Sequence, residues 1–453
     1  MGDGNLMDQA ARAAIVAAVS SGDTLGALRR AQDMLEGEGH YDGYLALVKA
    51  LSESGDPVLA VKCFAALREI LPANAEVARG YGAALLQLGN IAYRGGEIAQ
   101  ARGFYRQALR ADAHSVKAWT NLGQAERFLG RPAEAEACFR KAVSLVPDEG
   151  PAHFNLATLL LEEERWQDGF AEFEWRSNLS RIPKILAGFP LWNAQAPQGA
   201  SVALWNDQGL GDAMLFLRYL PRLRSRGMRI VLFLPPVLTD LAATAPGVDA
   251  IAEIGQPIPQ VDYQLPLASL PHLLGEADPA DAWTGPYLFA ASAPAGRVTY
   301  RRSIGLVWAA GSDSPNGRVR SIPLEGLAPL ATLPDIDWIA LQMGPARAEI
   351  AGSPWAGRLR DPSPGLANFA DTAAVVSGLD LVISVDTSVA HLAGAMGKPV
   401  WILLPRPCDW KWGREGSASV WYPTASLFRQ DGSRDWDSVV SAVDAALRGL
   451  PAQ

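Results

Sequence analysis

The chain has 453 residues, 49% hydrophobic and 19% charged, which allows about two to four domains, each with its own core, and excludes a chain disordered throughout. Its 40 basic and 48 acidic residues leave a net charge of −8 without a block of Lys or Arg, so non-specific nucleic-acid binding is not expected. Three widely spaced cysteines (Cys63, Cys138, Cys408) offer neither a disulfide framework nor a CxxC metal site. No apolar run reaches the roughly 18 residues of a membrane span, and the acidic N-terminus does not read as a secretory signal, so a cytoplasmic location is expected.

Residues 1–150 hold 4 of the 32 prolines and residues 1–182 hold 3 of the 14 tryptophans, which marks the first third as packed helices and the rest as strands joined by structured loops. The helical part repeats with a period of 34: Leu88-Gly89, Gly96, Ala101, Tyr105 and Ala108 recur as Leu122-Gly123, Gly130, Ala135, Phe139 and Ala142. Trp119 and Pro147 complete the second set. Small residues at Gly123 and Ala135 let two antiparallel helices approach, Phe139 fills the groove between them, and Pro147 ends the second helix. A weaker copy follows at Leu156, Ala157 and Phe173. Another precedes at Leu47, Gly55, Ala60, Phe64 and Pro72, offset by 41, so about seven residues are inserted near 73–84. Gly22, Ala27 and Ala31 form a degenerate first copy. The pattern resembles the tetratricopeptide repeat (TPR), against the alternative of a generic helical bundle. It implies an α-solenoid of 4–5 helix pairs over residues 1–182, with a concave face that takes a polypeptide partner and with self-association as a further expectation.

Beyond the solenoid, Ser201–Asn206 reads as a buried strand. It is followed by the turn Gln208-Gly209-Leu210-Gly211-Asp212, a helix near 213–225 and a strand at Arg229–Leu234. This is a βαβ unit with its glycine turn at the carboxyl end of the first strand, where open α/β sheets place ligands. Asp212 is either a first-turn carboxylate that complements the helix dipole or a reactive group. A second α/β unit has strands at Ser303–Trp308, Trp338–Leu341, Leu381–Val385 and Pro399–Leu404. Its third strand runs into Asp386-Thr387-Ser388-Val389 at a helix start, whose free N–H groups and hydroxyls suit a phosphate. His391 lies one turn into that helix. Asp335-Ile336-Asp337, led by Pro334, reads as a turn rather than a metal site. The five histidines do not cluster, so no metal is expected.

Residues 201–436 resemble the lipopolysaccharide heptosyltransferase family of glycosyltransferases, in its bacterial branch fused behind TPR repeats. The domain order also parallels the TPR-bearing O-GlcNAc transferases. The matching segments are Leu204-Trp205, Gln208–Asp212, Arg218-Tyr219 with Pro221, Gly305–Ala309 and Arg320–Leu324. They continue with Leu341-Gln342 and Gly344, Asp371–Ala374, Asp386-Thr387 with His391–Gly394, and Trp421–Pro423 with Leu427–Gln430. The resemblance implies an α + α/β chain: the solenoid, then a GT-B core of two Rossmann-like domains, 183–298 for the acceptor and 299–453 for the nucleotide sugar.

The same resemblance implies site roles. Asp212 matches the family's general base. Arg320 stands where heptosyltransferases carry a lysine that stabilises the leaving phosphate, with Arg318 a second candidate, and His391 joins the catalytic set. Donor contacts fall to Gln208, Gly209, Gly211, Trp308, Gln342, Gly344, Asp386, Thr387, Ser388 and Val389. Trp410, Trp412, Trp421 and Tyr422 either wall the donor sugar or pack between the domains. The expected reaction is inverting, metal-independent transfer from a nucleotide sugar, without a cofactor, to a Ser or Thr hydroxyl of a protein, flagellin first among acceptors. Two alternatives stand beside it: a lipopolysaccharide or envelope polysaccharide glycosyltransferase, and a non-catalytic TPR scaffold with a degenerate transferase domain.

Overall fold

The computed structural model describes residues 13–21, 23, 26–27, 29–30, 56–178, 182–195, 197–275, 277–291, 301–311, 315–432 and 434–451. The chain divides into two compact units, residues 1–159 and 160–453.

In the first unit, residues 13–20 are helical. There follow α1 (Pro57–Ile70), α2 (Ala75–Arg94), α3 (Ile98–Ala111), α4 (Val116–Phe128), α5 (Pro132–Leu145) and α6 (Gly150–Glu162), the last crossing into the second unit. Asp56, Asn74 and Ser115 start α1, α2 and α4 by accepting first-turn N–H groups on their side-chain oxygens. Gly96 and Gly130, 34 residues apart, turn the chain between paired helices with φ of +84° and +74°, a conformation only glycine adopts at no steric cost. A Cβ on Gly89 would lie 2.3 Å from the Tyr105 ring, and one on Gly123 would lie 2.5 Å from the Phe139 ring. The repeated glycine is therefore the socket for the repeated aromatic. The insertion expected near 73–84 is helical: α2 has 20 residues where its counterpart α4 has 13. The difference of seven is about two turns, so α2 grows without rotating its buried face. Leu47, Gly55, Gly22 and Ala31 lie outside the described residues. Glu126, 1% exposed, accepts ion pairs from Arg102 at 2.7 Å, Arg106 at 3.1 Å and Arg131 at 3.3 Å, and so ties α3 to the α4–α5 turn.

The second unit begins before the sheets. Its first helix, α7 (Trp166–Phe173), sets Phe170 and Phe173 edge-on against Trp410, with ring centroids 6.0 and 5.9 Å away. Arg176 follows, 2% exposed. Its guanidinium donates to Asp207 Oδ2 at 2.7 Å and to Ser269 Oγ at 2.8 Å. Residues 160–178, which the repeat pattern groups with the solenoid, are thus packed into the α/β unit.

Two parallel sheets follow. The first contains β1 (Ser201–Trp205), β2 (Arg229–Leu234), β3 (Ala250–Glu253) and β4 (Tyr263–Pro266) in the order β3-β2-β1-β4, with α8 (Leu210–Phe216) after β1 and α9 (Pro236–Ala242) after β2. The second has six strands: β5 (Arg302–Val307), β6 (Ile336–Ala340), β7 (Leu359–Arg360), β8 (Leu381–Val385), β9 (Val400–Leu404) and β10 (Ala425–Arg429). Their order is β10-β9-β8-β5-β6-β7, and every pair is parallel. Helices α10 (Phe369–Ser377), α11 (Ser388–Ala395) and α12 (Asp437–Arg448) belong to this half. Counted from its first strand, the second sheet has the doubly wound order 3-2-1-4-5-6, and the first has its truncated form, 3-2-1-4. The order in which strands are added reverses between β1 and β4 in one sheet and between β5 and β8 in the other, while all strands stay parallel. Loops part at such points and leave a crevice at the carboxyl ends of the strands. Of the Asp335-Ile336-Asp337 segment, expected as a turn, only Asp335 with φ +59° is in the turn; Ile336 and Asp337 already begin β6, where pairing with β5 extends the strand.

Two expected outcomes test this packing. Gly123→Val overfills the Phe139 socket and costs about 1–3 kcal/mol, read as a lower midpoint in far-UV circular dichroism, whereas Gly103→Ala, which meets nothing within 4 Å, leaves that midpoint level or higher. Arg176→Met strands the buried Asp207 carboxylate and costs about 3–5 kcal/mol; a midpoint equal to wild type removes the assigned link between the segment that follows α7 and the first sheet.

Candidate functional site

After β1 the chain turns sharply. Asn206 Nδ2 donates to Gln208 O at 2.9 Å, and Gln208 N–H donates to Asn206 Oδ1 at 3.3 Å. The Gln208 amide also reaches the Asp207 carbonyl at 3.0 Å. Gly209 precedes α8, and Asp212 is the third residue of that helix, where its Oδ2 accepts the Gly209 N–H at 3.0 Å. A Cβ on Gly211 would stand 2.5 Å from His391 Cδ2, so this glycine lets the start of α8 rest on the His391 ring. The first sheet's switch point is thereby brought to α11, the helix at the second sheet's switch point.

At that second point β8 delivers Asp386, 2% exposed. Arg320 Nη1 donates to Asp386 Oδ2 at 3.0 Å and to the Asp386 carbonyl at 3.2 Å. The Arg320 Nε is buried without a partner among the described residues. Thr387 caps α11 in an extended conformation, its hydroxyl 2.9 Å from that of Ser384. No described group takes the N–H of Ser388 or Val389, so the α11 N-terminus offers two donors and the positive end of its dipole. Gln342 is held inside the fold: its Oε1 accepts from Trp308 N–H at 3.1 Å and Ala309 N–H at 2.9 Å, while its Nε2 donates to the carbonyls of Ala309 and Met343. It braces the ends of two strands and has no polar atom left for a ligand. Gly344 follows with φ +77°. The Trp308 indole is fully buried in the core of the second sheet, which leaves only its backbone near the mouth. Arg318 is exposed on the short helix before Arg320.

Lys411 is a site residue that motif reading passes over. It sits in the one-turn helix Trp410–Trp412 with its side chain 8% exposed. Its ammonium lies 2.9 Å from Asp212 Oδ1 and 2.8 Å from Asp409 Oδ1. Asp409 also accepts the Lys411 backbone N–H at 3.2 Å. Arg429 fixes this loop by donating to the carbonyls of Trp412, Gly413, Glu415 and Gly416. Burial alone would lower the Lys411 ammonium, but the carboxylates of Asp212, Asp409 and Asp386 outweigh it and hold the group above the ordinary lysine value. Asp409 is held below the usual carboxylate range: burial pushes it up, and the Lys411 charge and hydrogen bonds overcome that. The only sequence signal for Lys411 is its setting, a lone lysine between two tryptophans.

His391, 3% exposed, directs Nδ1 at the Tyr422 hydroxyl (3.0 Å) and stacks on Trp412 with centroids 5.0 Å apart. Burial, with the Lys411 charge next, lowers its pKa to about 4 against the pull of Asp212, Asp386 and Asp409. The ring is neutral near pH 7 and packs as a spacer between α8 and the aromatic segment. That segment is packing as well. Trp410, Trp412, Trp421 and Tyr422 are all buried, and Trp421 meets Phe170, Phe216 and Trp410 edge-on. Arg218, 3% exposed, lies over the rings of Trp283, Tyr287, Trp421 and Tyr422 and donates to the Trp421 carbonyl at 2.8 Å.

The arrangement thus joins a carboxylate whose two oxygens are oriented by an ammonium and an N–H, an arginine beside a helix N-terminus, and walls of buried aromatic rings. Such a set can accept a proton at one point and hold an anion at another. Among the described residues no group of three or more His, Cys, Asp or Glu side chains could hold a metal ion. Nor is any described helix long and apolar enough to cross a membrane.

Comparison with known proteins identifies repeats in the first part of the chain and a relative that spans most of it. The tetratricopeptide repeat family model matches residues 86–149 and 120–174, so the chain contains TPR repeats, an architecture that binds proteins. Protein FlbA of Caulobacter vibrioides is 26% identical over 426 residues, which covers 85% of this chain and 70% of FlbA. Among solved structures, MamA matches at 20% identity over 39% of this chain and 92% of its own, with a TM-score of 0.27. The Arabidopsis OM64 TPR domain matches at 22% identity over 21% of this chain and 80% of its own, with a TM-score of 0.21.

The His391 environment has a pH signature. Its folded pKa, about 4, lies below the ordinary 6.5, so its contribution is fully present above 6.5 and is lost as pH falls from 6.5 towards 4. The loss amounts to about 3 kcal/mol. Thermal midpoints measured across this window fall more steeply for wild type than for His391→Gln; parallel slopes would mean that His391 is not buried neutral.

Proposed function

We propose that this protein is a glycosyltransferase of the GT-B arrangement, which moves a sugar from a nucleotide sugar to an acceptor hydroxyl. The observation that carries this reading is the meeting of two switch points: Asp212, paired with Lys411, comes from the first sheet, Asp386, paired with Arg320, comes from the second, and Gly211 beside Asp212 rests on His391 of α11. In the reaction, the acceptor oxygen bonds to the anomeric carbon on the face opposite the leaving group. The bond from that carbon to the phosphate oxygen breaks, and its electron pair leaves with the nucleotide. The hydroxyl proton passes to Asp212. The free N–H groups of Ser388 and Val389, with Arg320, meet the charge on the departing phosphate. The transfer inverts the anomeric centre and is assigned no metal.

The acceptor is a Ser or Thr hydroxyl of a polypeptide held by the TPR repeats, flagellin being the first to try, and the setting is the cytoplasm. One observation favours a second reading, a TPR scaffold without catalysis: Asp212 and Arg320 are already paired, with Lys411 and Asp386. The experiment separates the two. UDP-N-acetylglucosamine, GDP-mannose, ADP-heptose and a CMP-nonulosonic acid are screened by thermal shift, and purified flagellin is then followed by intact mass with the donor that raises the midpoint. We expect one nucleotide class to shift the midpoint and flagellin to gain the sugar mass. Asp212→Asn lowers that transfer about 10²–10⁴-fold while donor binding stays. A flat panel with unmodified flagellin leaves the scaffold. A shift without flagellin modification moves the acceptor to an envelope glycan.

A further inference from the structure

The charged side chains at the seam form a chain of contacts rather than a scatter. Asp409 accepts both the backbone N–H of Lys411 and its ammonium, and the ammonium then reaches Asp212, whose other oxygen holds the Gly209 N–H. Each link has a direction. Asp409 and the loop carbonyls bound by Arg429 belong to the second sheet's half, whereas Asp212 belongs to the first. Lys411 is 8% exposed, Asp212 19% and Asp409 32%, so the ammonium is the innermost member and the carboxylates lie towards solvent. Trp410 lies 5.1 Å from the ammonium, and Trp412 stacks on His391, which itself abuts Gly211. The residues on either side of Lys411 are thus both fixed, Trp410 against the ammonium and Trp412 against His391.

We propose that Lys411 is the positioning residue for Asp212: it turns the carboxylate that takes the acceptor proton and makes that orientation depend on the second sheet's half. The inference rests on the transferase reading. Lys411 exchanges no proton and touches no reacting atom. The bonds made and broken are those given above, the proton ends on Asp212, and the ammonium stays an ammonium. Two consequences separate this role from that of a donor-phosphate ligand. Loss of the ammonium should act on turnover rather than on donor affinity, because a misplaced base slows the step without weakening what the nucleotide touches. A second cation with the same reach should restore part of the rate, because Arg can also bridge two carboxylates.

The test uses the full chain with flagellin and the donor selected by the thermal-shift panel, comparing wild type, Lys411→Met, Lys411→Arg and Asp409→Asn. We expect Lys411→Met to lower kcat about 100-fold with the donor KM moved by less than about threefold. Lys411→Arg recovers to within about tenfold of wild type, and Asp409→Asn, which keeps the ammonium but frees it from one anchor, falls between the two. Wild-type kinetics in Lys411→Met overturn the proposal. So does a donor KM raised about tenfold or more with kcat intact, which would put Lys411 on the donor. Should Lys411→Met fail to fold by circular dichroism, Asp409→Asn decides: an unchanged kcat there overturns the positioning role. Wild type inert with all four donors overturns the transferase reading itself, before any variant is compared.

Discussion

One buried ammonium organises the α/β unit. Removing Lys411 from water is costly, and the cost is met only because Asp212 and Asp409 lie within 2.9 Å of the charge. That demand propagates outward. Asp409 must hold the backbone of the same residue, Arg429 must pin the loop that carries it, and the start of α8 must come close enough to present Asp212. Closeness of that order is why Gly211 has no side chain: any Cβ would collide with His391. His391 in turn is neutral and stacked, which a ring beside a buried cation has to be.

The same physics recurs at two further joints, with different partners. Arg176 crosses the first sheet's switch point, bonded to Asp207 after β1 and to Ser269 after β4, so a cation delivered from beyond α7 fills part of the crevice between those strands. Arg218 has aromatic faces and a carbonyl in place of a carboxylate. Four rings, the Tyr287 hydroxyl and two carbonyls stand in for water around it. Each of these groups ties together segments distant in sequence, Arg176 with Ser269 and Arg218 with Trp421. The aromatic residues 410–422 are rich in tryptophan because they wall these cations and pack on Phe170 and Phe216, not because they line an open pocket.

What was legible in the sequence follows the reach of the contact. In the repeats a glycine faces an aromatic 16 residues later, Gly89 with Tyr105 and Gly123 with Phe139, and the spacing recurs, so the socket can be read from the pattern alone. At the site the same device joins Gly211 to His391, 180 residues apart, and Gly394 to Tyr422, and nothing repeats to reveal it. The turn that holds Asp212 and the strand end that holds Asp386 were readable because strand, glycine and helix signals lie side by side. Lys411 and Arg176 were not. Each sits in a short, irregular segment whose meaning comes entirely from partners elsewhere in the chain. The insertion shows the intermediate case: its length was plain, but its form as two extra turns of α2 depends on keeping one helix face buried.

The charge balance at the seam constrains how an anionic ligand could be held. Asp212, Asp386 and Asp409 face Lys411 and Arg320, with His391 neutral, which leaves one net negative charge among the close-lying groups. A phosphate gains nothing from that sum. Its attraction must come from direction rather than from net charge: the unengaged N–H groups at the start of α11, the unpartnered Nε of Arg320, and the exposed Arg318 nearby. Since Lys411 is already shared by two carboxylates, drawing it onto a phosphate would strand both of them. A ligand that binds without breaking the ion cluster therefore sits on the α11 side of the seam, and Lys411 stays with Asp212.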